Sequence, residues 1–126
     1  MRLLLDTHAF LWWVSDDPRL SRRARAAAAS SPCLLSLASC WEMAIKVSLG
    51  KLTLPGPVDR FVQQQIEING FTLLGLTLEH VAGLESLPFH HRDPFDRLLA
   101  AQADADDLAV VSADPVFRRY GVKRVW

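Results

Sequence analysis

Four acidic residues stand at comparable points of this chain. Asp6 directly follows the apolar run Leu3-Leu4-Leu5. Glu42 lies in Trp41-Glu42-Met43, Asp96 in Asp93-Pro94-Phe95-Asp96, and Asp114 in Ser112-Ala113-Asp114-Pro115. Each has an ordinary structural reading. Asp6 can cap the helix after it. Glu42 can pair with Lys46 one turn on, worth about 0.2–0.5 kcal/mol. Asp93 and Asp96 can form a capping box supported by the helix dipole, and Asp114 can act as a cap ahead of Pro115. Taken together they also have a chemical reading. Several carboxylates in close proximity repel strongly unless protons or cations intervene. Oxygen donors without a Cys/His set favour Mg²⁺ or Mn²⁺ over zinc. A carboxylate-held cation of this kind keeps waters and open positions. It can activate a water and stabilise the leaving oxygen of a phosphodiester.

For these acids to meet, distant segments must deliver them to one edge. Leu3–Leu5 reads as a short buried strand and "THAFLWWV" as a helix. "DDPRLSRRARAAAAS" is a second, alanine-rich helix, and "PCLLS" a second strand. From Ser36, an N-cap, "LASCWEMAIKVSLG" is a third helix stopped at Gly50. "KLTLPGP" is a loop, and "VDRFVQQQIEING" a fourth helix stopped by Asn69-Gly70. "FTLLG" is a third strand, "TLEHVAGLESL" a fifth helix capped by Thr77, and "PFHHR" a loop. "DPFDRLLAAQADADD" is a sixth helix with Asp93 at the cap and Pro94 at the first helical position. "LAVVS" is a fourth strand, "DPVFRRY" a helical turn and "VKRVW" a final strand. Short apolar runs alternating with longer helical stretches predict βαβ units: a single α/β domain over residues 1–126, with helices on both faces of a parallel sheet. Such sheets keep their ligand sites at the carboxyl ends of the strands.

The totals agree with one domain. The chain has 126 residues, half of them apolar, enough for one sizeable core. Lys+Arg and Asp+Glu both number 14, which argues against a protein held to polyanions by bulk charge. A local basic rim is still available from Arg19, Arg22, Arg23 and Arg25, and from Arg118, Arg119, Lys123 and Arg124. No apolar run reaches the roughly 18 residues of a membrane span, and the start lacks the pattern of an export signal. The expected location is cytoplasmic. Cys33 and Cys40 form no CxxC pair and are expected to be reduced, packed thiols. His90-His91 lacks spaced ligand partners and is read as part of a loop, and His8 as structural near the pocket mouth. One helix face cannot bury both Trp12 and Trp13, which hints at a dimer or bound partner. No GxxxxGK loop, GxGxxG turn or Ser/His/Asp setting supports an ATPase, dehydrogenase or serine hydrolase.

The segments "LLLDTHAFLWW", "SCWEMAIKVSLGKL", "HHRDPFDRLLAAQA" and "VVSADPVFRRYGV" cover nearly the whole chain in order. In this combination the chain resembles the PIN-domain ribonucleases, and among them the VapC toxins of bacterial type II toxin–antitoxin pairs. The resemblance implies a three-layer α/β/α sandwich with a parallel five-stranded sheet. It also implies an endoribonuclease, dependent on Mg²⁺ or Mn²⁺, that leaves a 5′-phosphate and a 3′-hydroxyl. Carried over, Asp6, Asp96 and Asp114 would hold the metal, and Glu42 would position or deprotonate the attacking water. Thr7 and Ser112 would hydrogen-bond the acids or a phosphate. Lys46 would touch the phosphate or simply pair with Glu42. Asp93, the rival of Asp96, would serve as cap and supporting acid. The implied partners are an RNA substrate, a second copy in a homodimer, and a VapB-like antitoxin. The antitoxin's tail would cover the acidic pocket, and it would supply operator-DNA binding. A competing reading is a non-catalytic PIN-like module that binds a partner protein or RNA. A phosphoacceptor receiver is disfavoured, because "FTLLG" ends without an acid.

Overall fold

The computed structural model describes all residues from 1 to 126. Its central strand, Leu3–Leu5 (β1), is fully buried and pairs in parallel with Cys33–Ser36 (β2) on one side and Ala109–Val111 (β4) on the other. Thr72–Leu74 (β3) and Arg124–Val125 (β5) complete a five-stranded, all-parallel sheet in the order β3-β2-β1-β4-β5. The chain therefore fills one half of the sheet, outward from β1, and then crosses back to fill the other. This reversal puts a crevice at the carboxyl ends of β1 and β4, where open α/β sheets place their ligands.

Side chains alternate between the two faces as strand geometry requires. Leu3, Leu5, Cys33, Leu35, Ala109 and Val111 pack into one apolar cluster. Leu4, Leu34 and Val110 pack into the other. The first cluster is covered by Phe10 of Thr7–Val14 (α1), Ala24 and Ala28 of Arg22–Ser30 (α2), and Phe61 and Val62 of Val58–Asn69 (α4). The second is covered by Leu98, Leu99 and Ala103 of Pro94–Asp106 (α6) and Phe117 of Val116–Arg119 (α7). Leu37–Ser48 (α3) serves both, with Met43 in the first cluster and Ala38 in the second. The result is the expected α/β/α sandwich. No helix is long and apolar enough to cross a membrane.

Three boundaries differ most from the sequence reading. The second helix starts only at Arg22, because Ser21 caps it through the Ala24 N–H and Asp16 takes a left-handed turn (φ 51°) after α1. The fifth helix, Leu78–Gly83 (α5), ends early. Leu84, Glu85 and Leu87 instead close tighter turns onto residues three back, and Pro88 ends the run. The last strand is two residues long. Elsewhere the local signals hold. Gly70 stops α4 in the left-handed conformation (φ 67°), and Pro94 sits in the first turn of α6 behind the Asp93 cap. Cys33 and Cys40 are free thiols, both pushed up to about 11 by burial.

The outer face of α3 breaks the usual pattern of a surface helix. Its exposed residues are Leu37, Trp41, Ala44, Ile45, Val47 and Ser48, with no charge among them. A helix apolar on both sides is normally covered on both.

A buried polar network locks α3 and β2 to the opposite layer. The Ser36 hydroxyl accepts the Ala38 N–H at 3.0 Å and donates to Gln102 Oε1 of α6. Gln102 Nε2 donates to the Gly75 carbonyl at 3.3 Å. His80, fully buried, closes a capping box with Thr77 and reaches Asp106 at 3.0 Å. A buried group left without its partner costs about 1–3 kcal/mol. Gln102→Ala, which strands the Ser36 hydroxyl, is therefore expected to lower stability by about 1–3 kcal/mol in urea denaturation. An unchanged midpoint would show that the network holds nothing.

Candidate active site

The crevice at the carboxyl ends of β1 and β4 is an acid-lined cavity of about 400 Å³. Asp6, Thr7, Glu42, Lys46, Asp93, Asp96 and Asp114 all line it, together with His8, Trp12 and His91. The four acids singled out in the sequence thus come together from four segments: the end of β1, the middle of α3, the first turn of α6 and the loop after β4.

Asp6 is both a cap and a cavity acid. Its backbone N–H donates to the Val111 carbonyl of β4 at 3.1 Å, and its Oδ1 accepts the Ala9 N–H at 2.8 Å to start α1. Burial pushes its carboxyl above the usual range. The Ser112 hydroxyl, the Ala9 N–H and His8 work against that rise, and Glu42 adds to it. Ser112 is fully buried, and its hydroxyl also accepts the Asp114 N–H at 3.0 Å. It therefore links the exits of β1 and β4. Asp114 Oδ1 accepts the Val116 N–H at 2.9 Å and opens α7, leaving Oδ2 in the cavity.

Glu42 is buried, and both its oxygens are engaged. Thr7 Oγ1 donates to Oε1 at 2.6 Å, and Lys46 Nζ lies 2.8 Å from Oε2. The ordinary i,i+4 pair is present, and Lys46 still lines the cavity. Asp93 caps α6 by accepting the Phe95 N–H at 2.9 Å. The capping box with Asp96 does not form, because the Asp93 N–H is taken by His91 Nδ1 at 2.9 Å. Asp96 is left facing the cavity. Burial first, then Asp93 and Asp6, raise its carboxyl to about 7, with His91 acting in the opposite direction.

His91 is the residue the sequence reading missed. It was read as part of a loop, yet its Nε2 lies 3.2 Å from Asp96 Oδ2 and 3.1 Å from Asp114 Oδ2. His91, Asp96 and Asp114 present potential donor atoms within 4.8 Å of one another. Asp6 lines the same cavity outside that trio. The available signal was the position of His91, two residues ahead of the Asp93 cap, where the cap's own N–H needs an acceptor. The expected basic rim is thinner than its sequence suggests. Arg19 pairs with Asp17 and lies over Trp12, and Arg25 pairs with Asp16. Arg124 donates to the Ser112 and Ala113 carbonyls at 2.9 and 2.8 Å, holding the loop that carries Asp114.

A second groove, of about 620 Å³, opens beside the acid cavity between α1, α4 and the Lys51–Pro55 segment. His8, Trp12 and Lys46 border both, so the two are adjacent. Leu11, Leu52, Leu54 and Phe61 give it an apolar part, and Asp17, Arg19, Lys46 and Lys51 a charged one. Trp12 packs against His8 and Trp126, while Trp13 packs on Phe71 and donates to Asn69. Neither tryptophan is left wholly in solvent.

The chain matches the PIN domain family over residues 3–123 and belongs to it. PIN domains are generally nucleases. Among solved structures with the same fold is VapBC2 from Rickettsia felis, bound to a DNA fragment from its promoter. Its identity to this chain is 14%, its TM-score is 0.68, and the match covers all of both chains. FitAcB from Neisseria gonorrhoeae is 20% identical, with a TM-score of 0.68, over 97% of this chain and 95% of the other. VapBC-1 from nontypeable Haemophilus influenzae is 11% identical, with a TM-score of 0.66, over 98% and 96%. A search of the curated proteins gives no match.

The acid cavity makes stability depend on pH in a defined direction. Asp96 holds its proton more tightly when folded, at about 7 against an ordinary 3.8. Its contribution is fully present below the ordinary value and is lost as pH rises through about 7. A tenfold change in proton affinity corresponds to about 1.4 kcal/mol. In EDTA at pH 8, Asp96→Asn is expected to stabilise the protein by about 1–3 kcal/mol. At pH 4 the two proteins should differ little. Urea midpoints at the two pH values test this, and a variant weakened at pH 8 would contradict it.

Proposed function

We propose that this chain is a divalent-cation-dependent endoribonuclease and the toxin of a VapBC-type toxin–antitoxin pair. The observation that carries the reading is the convergence of Asp6, Glu42, Asp96 and Asp114, from four separate segments, on one cavity at the sheet's reversal point in a PIN-domain chain. The residues suit a hard cation. Their donors are carboxylate oxygens, and Asp96 is raised by burial and by its acidic neighbours, a situation that a bound cation relieves. Asp6, Asp96 and Asp114 would hold Mg²⁺ or Mn²⁺. When bound, the ion supplies positive charge at a phosphodiester and a water of lowered pKa.

The chain's own groups do the rest. Thr7 and Lys46 fix the Glu42 carboxylate, which then accepts a proton from the attacking water or orients it. Ser112 holds Asp6 and the Asp114 backbone in register. Lys46 also offers positive charge to a phosphate at the cavity mouth. Asp93 starts the helix that presents Asp96. The products expected of water attack with loss of the 3′ oxygen are a 5′-phosphate and a 3′-hydroxyl.

The partners follow the same reading. The groove beside the acid cavity, part apolar and part charged, is suited to the tail of an antitoxin, which would block the acids if it reached across Trp12 and Lys46. Operator-DNA binding would then lie with the antitoxin. The uncharged outer face of α3 is the proposed homodimer surface. A two-fold interface meets its own copy, and a face without charges brings no like charges together. Trp41, 55% exposed, is its largest anchor.

Incubating cellular RNA with antitoxin-free protein tests the activity. Discrete fragments with 5′-phosphate ends should appear with Mg²⁺ or Mn²⁺ and vanish with EDTA. Asp6→Asn and Asp96→Asn should each lower the rate by about 100-fold or more. No cleavage by a folded, metal-supplied sample would favour the non-catalytic binding module. For the assembly, Trp41→Glu should convert a dimer to a monomer in analytical ultracentrifugation with its circular dichroism unchanged. A variant that stays dimeric would place the interface elsewhere.

A further inference from the structure

The trio His91, Asp96 and Asp114 looks like a mixed nitrogen–oxygen metal site, yet the hydrogen bonds of His91 say otherwise. His91 Nδ1 accepts the Asp93 N–H at 2.9 Å. An imidazole nitrogen that accepts an N–H carries a lone pair and no proton, so the ring proton sits on Nε2. That nitrogen lies 3.2 Å from Asp96 Oδ2 and 3.1 Å from Asp114 Oδ2. A protonated nitrogen donates and has no lone pair for a cation. Freeing one would mean breaking the Asp93 contact or stripping the ring of its last proton. The Asp93 N–H is itself fixed, because Asp93 caps α6 through Phe95. The tautomer is thus set by the helix start.

We propose that His91 is a positioning residue. Its Nε2–H donates to Asp114 Oδ2 on the β4–α7 loop, with Asp96 Oδ2 of α6 only 3.2 Å away, leaving a cation site built of oxygen donors alone. The inference rests on the metal-site reading above and deepens it. It separates this site from the mixed sites that imidazole and carboxylate build together, and so from Zn²⁺ and Ni²⁺. It also assigns Asp93 a second task, since its backbone N–H orients the ring that donates to Asp114. A ligand's hydrogen-bonding partner is typically worth about 10–100-fold in metal affinity.

The test reads metal binding and ring chemistry and does not depend on RNA cleavage. Nitrogen-15 NMR of the metal-free protein at pH 8 should show His91 with Nδ1 unprotonated and Nε2 protonated. In Mn²⁺-loaded protein, electron spin-echo spectroscopy should show no directly coordinated ring nitrogen. By calorimetry, His91→Ala should weaken Mn²⁺ binding about tenfold or more. His91→Gln, which keeps an N–H donor, should stay within about threefold of the parent. A directly coordinated nitrogen that disappears in His91→Ala, with Gln failing to rescue, would make His91 a ligand and overturn the proposal. So would a proton found on Nδ1. If the parent bound no Mn²⁺, the metal-site reading would fail, while the NMR result would still decide the tautomer.

Discussion

Like charges withdrawn from water repel, and this chain gathers several of them in one small cavity. Asp6 and Asp96 both sit above the usual carboxylate range, and in each case burial is the leading cause and a neighbouring acid adds to it. Lys46 beside Glu42 and His91 beside Asp96 and Asp114 offset part of that repulsion. The anchors lie behind them: three apolar strands side by side, a helix start at Asp6, a buried network at Ser36 and Gln102, and Arg124 clamping the loop after β4. The apolar core acts as a fixed frame against which an unfavourable cluster is pressed.

The sheet order explains how few residues this requires. Because β1 lies at the centre and the chain crosses it on the way from β3 to β4, the exits of β1 and β4 are neighbours although they are far apart in sequence. Ser112 joins them with one hydroxyl, turned toward Asp6 and bonded to the Asp114 backbone. From the other half, α3 brings Glu42 in with its partner Lys46, and α6 brings Asp96 in its first turn. Parallel strands all point their carboxyl ends the same way, so each new crossover can add one group to the same rim.

Much of this was legible in the sequence. The five strands and the parallel class follow from short apolar runs alternating with helical stretches, and the four acids were expected at strand exits and helix starts, where the fold brings them to one cavity. What was hidden depends on where loops travel. His91 sits in the loop before α6, and only the folded path shows it reaching both Asp96 and Asp114. The arginines were legible as charges but not as bonds. Arg124 is held by backbone carbonyls that a sequence does not place. The second helix was read too long because Asp16–Ser21 was joined to the helix it precedes, whereas the side chain of Ser21 decides where it begins. The fifth was read too long because its apolar pattern continues into turns that no longer keep helical spacing.

Asp6 starts a helix and faces the acid cavity with one side chain, and the two duties depend on different properties. The cap needs an oxygen, which asparagine supplies as well as aspartate does. The cavity acid needs a negative charge, which asparagine lacks. Exchanging one for the other takes a single nucleotide. Loss of charge at this position is therefore separable from loss of the fold, and under the proposed function the lineage has a short mutational route to an intact but inert copy. Such a copy would keep the groove beside the cavity and the uncharged face of α3. It would still compete with the active form for whatever those surfaces bind.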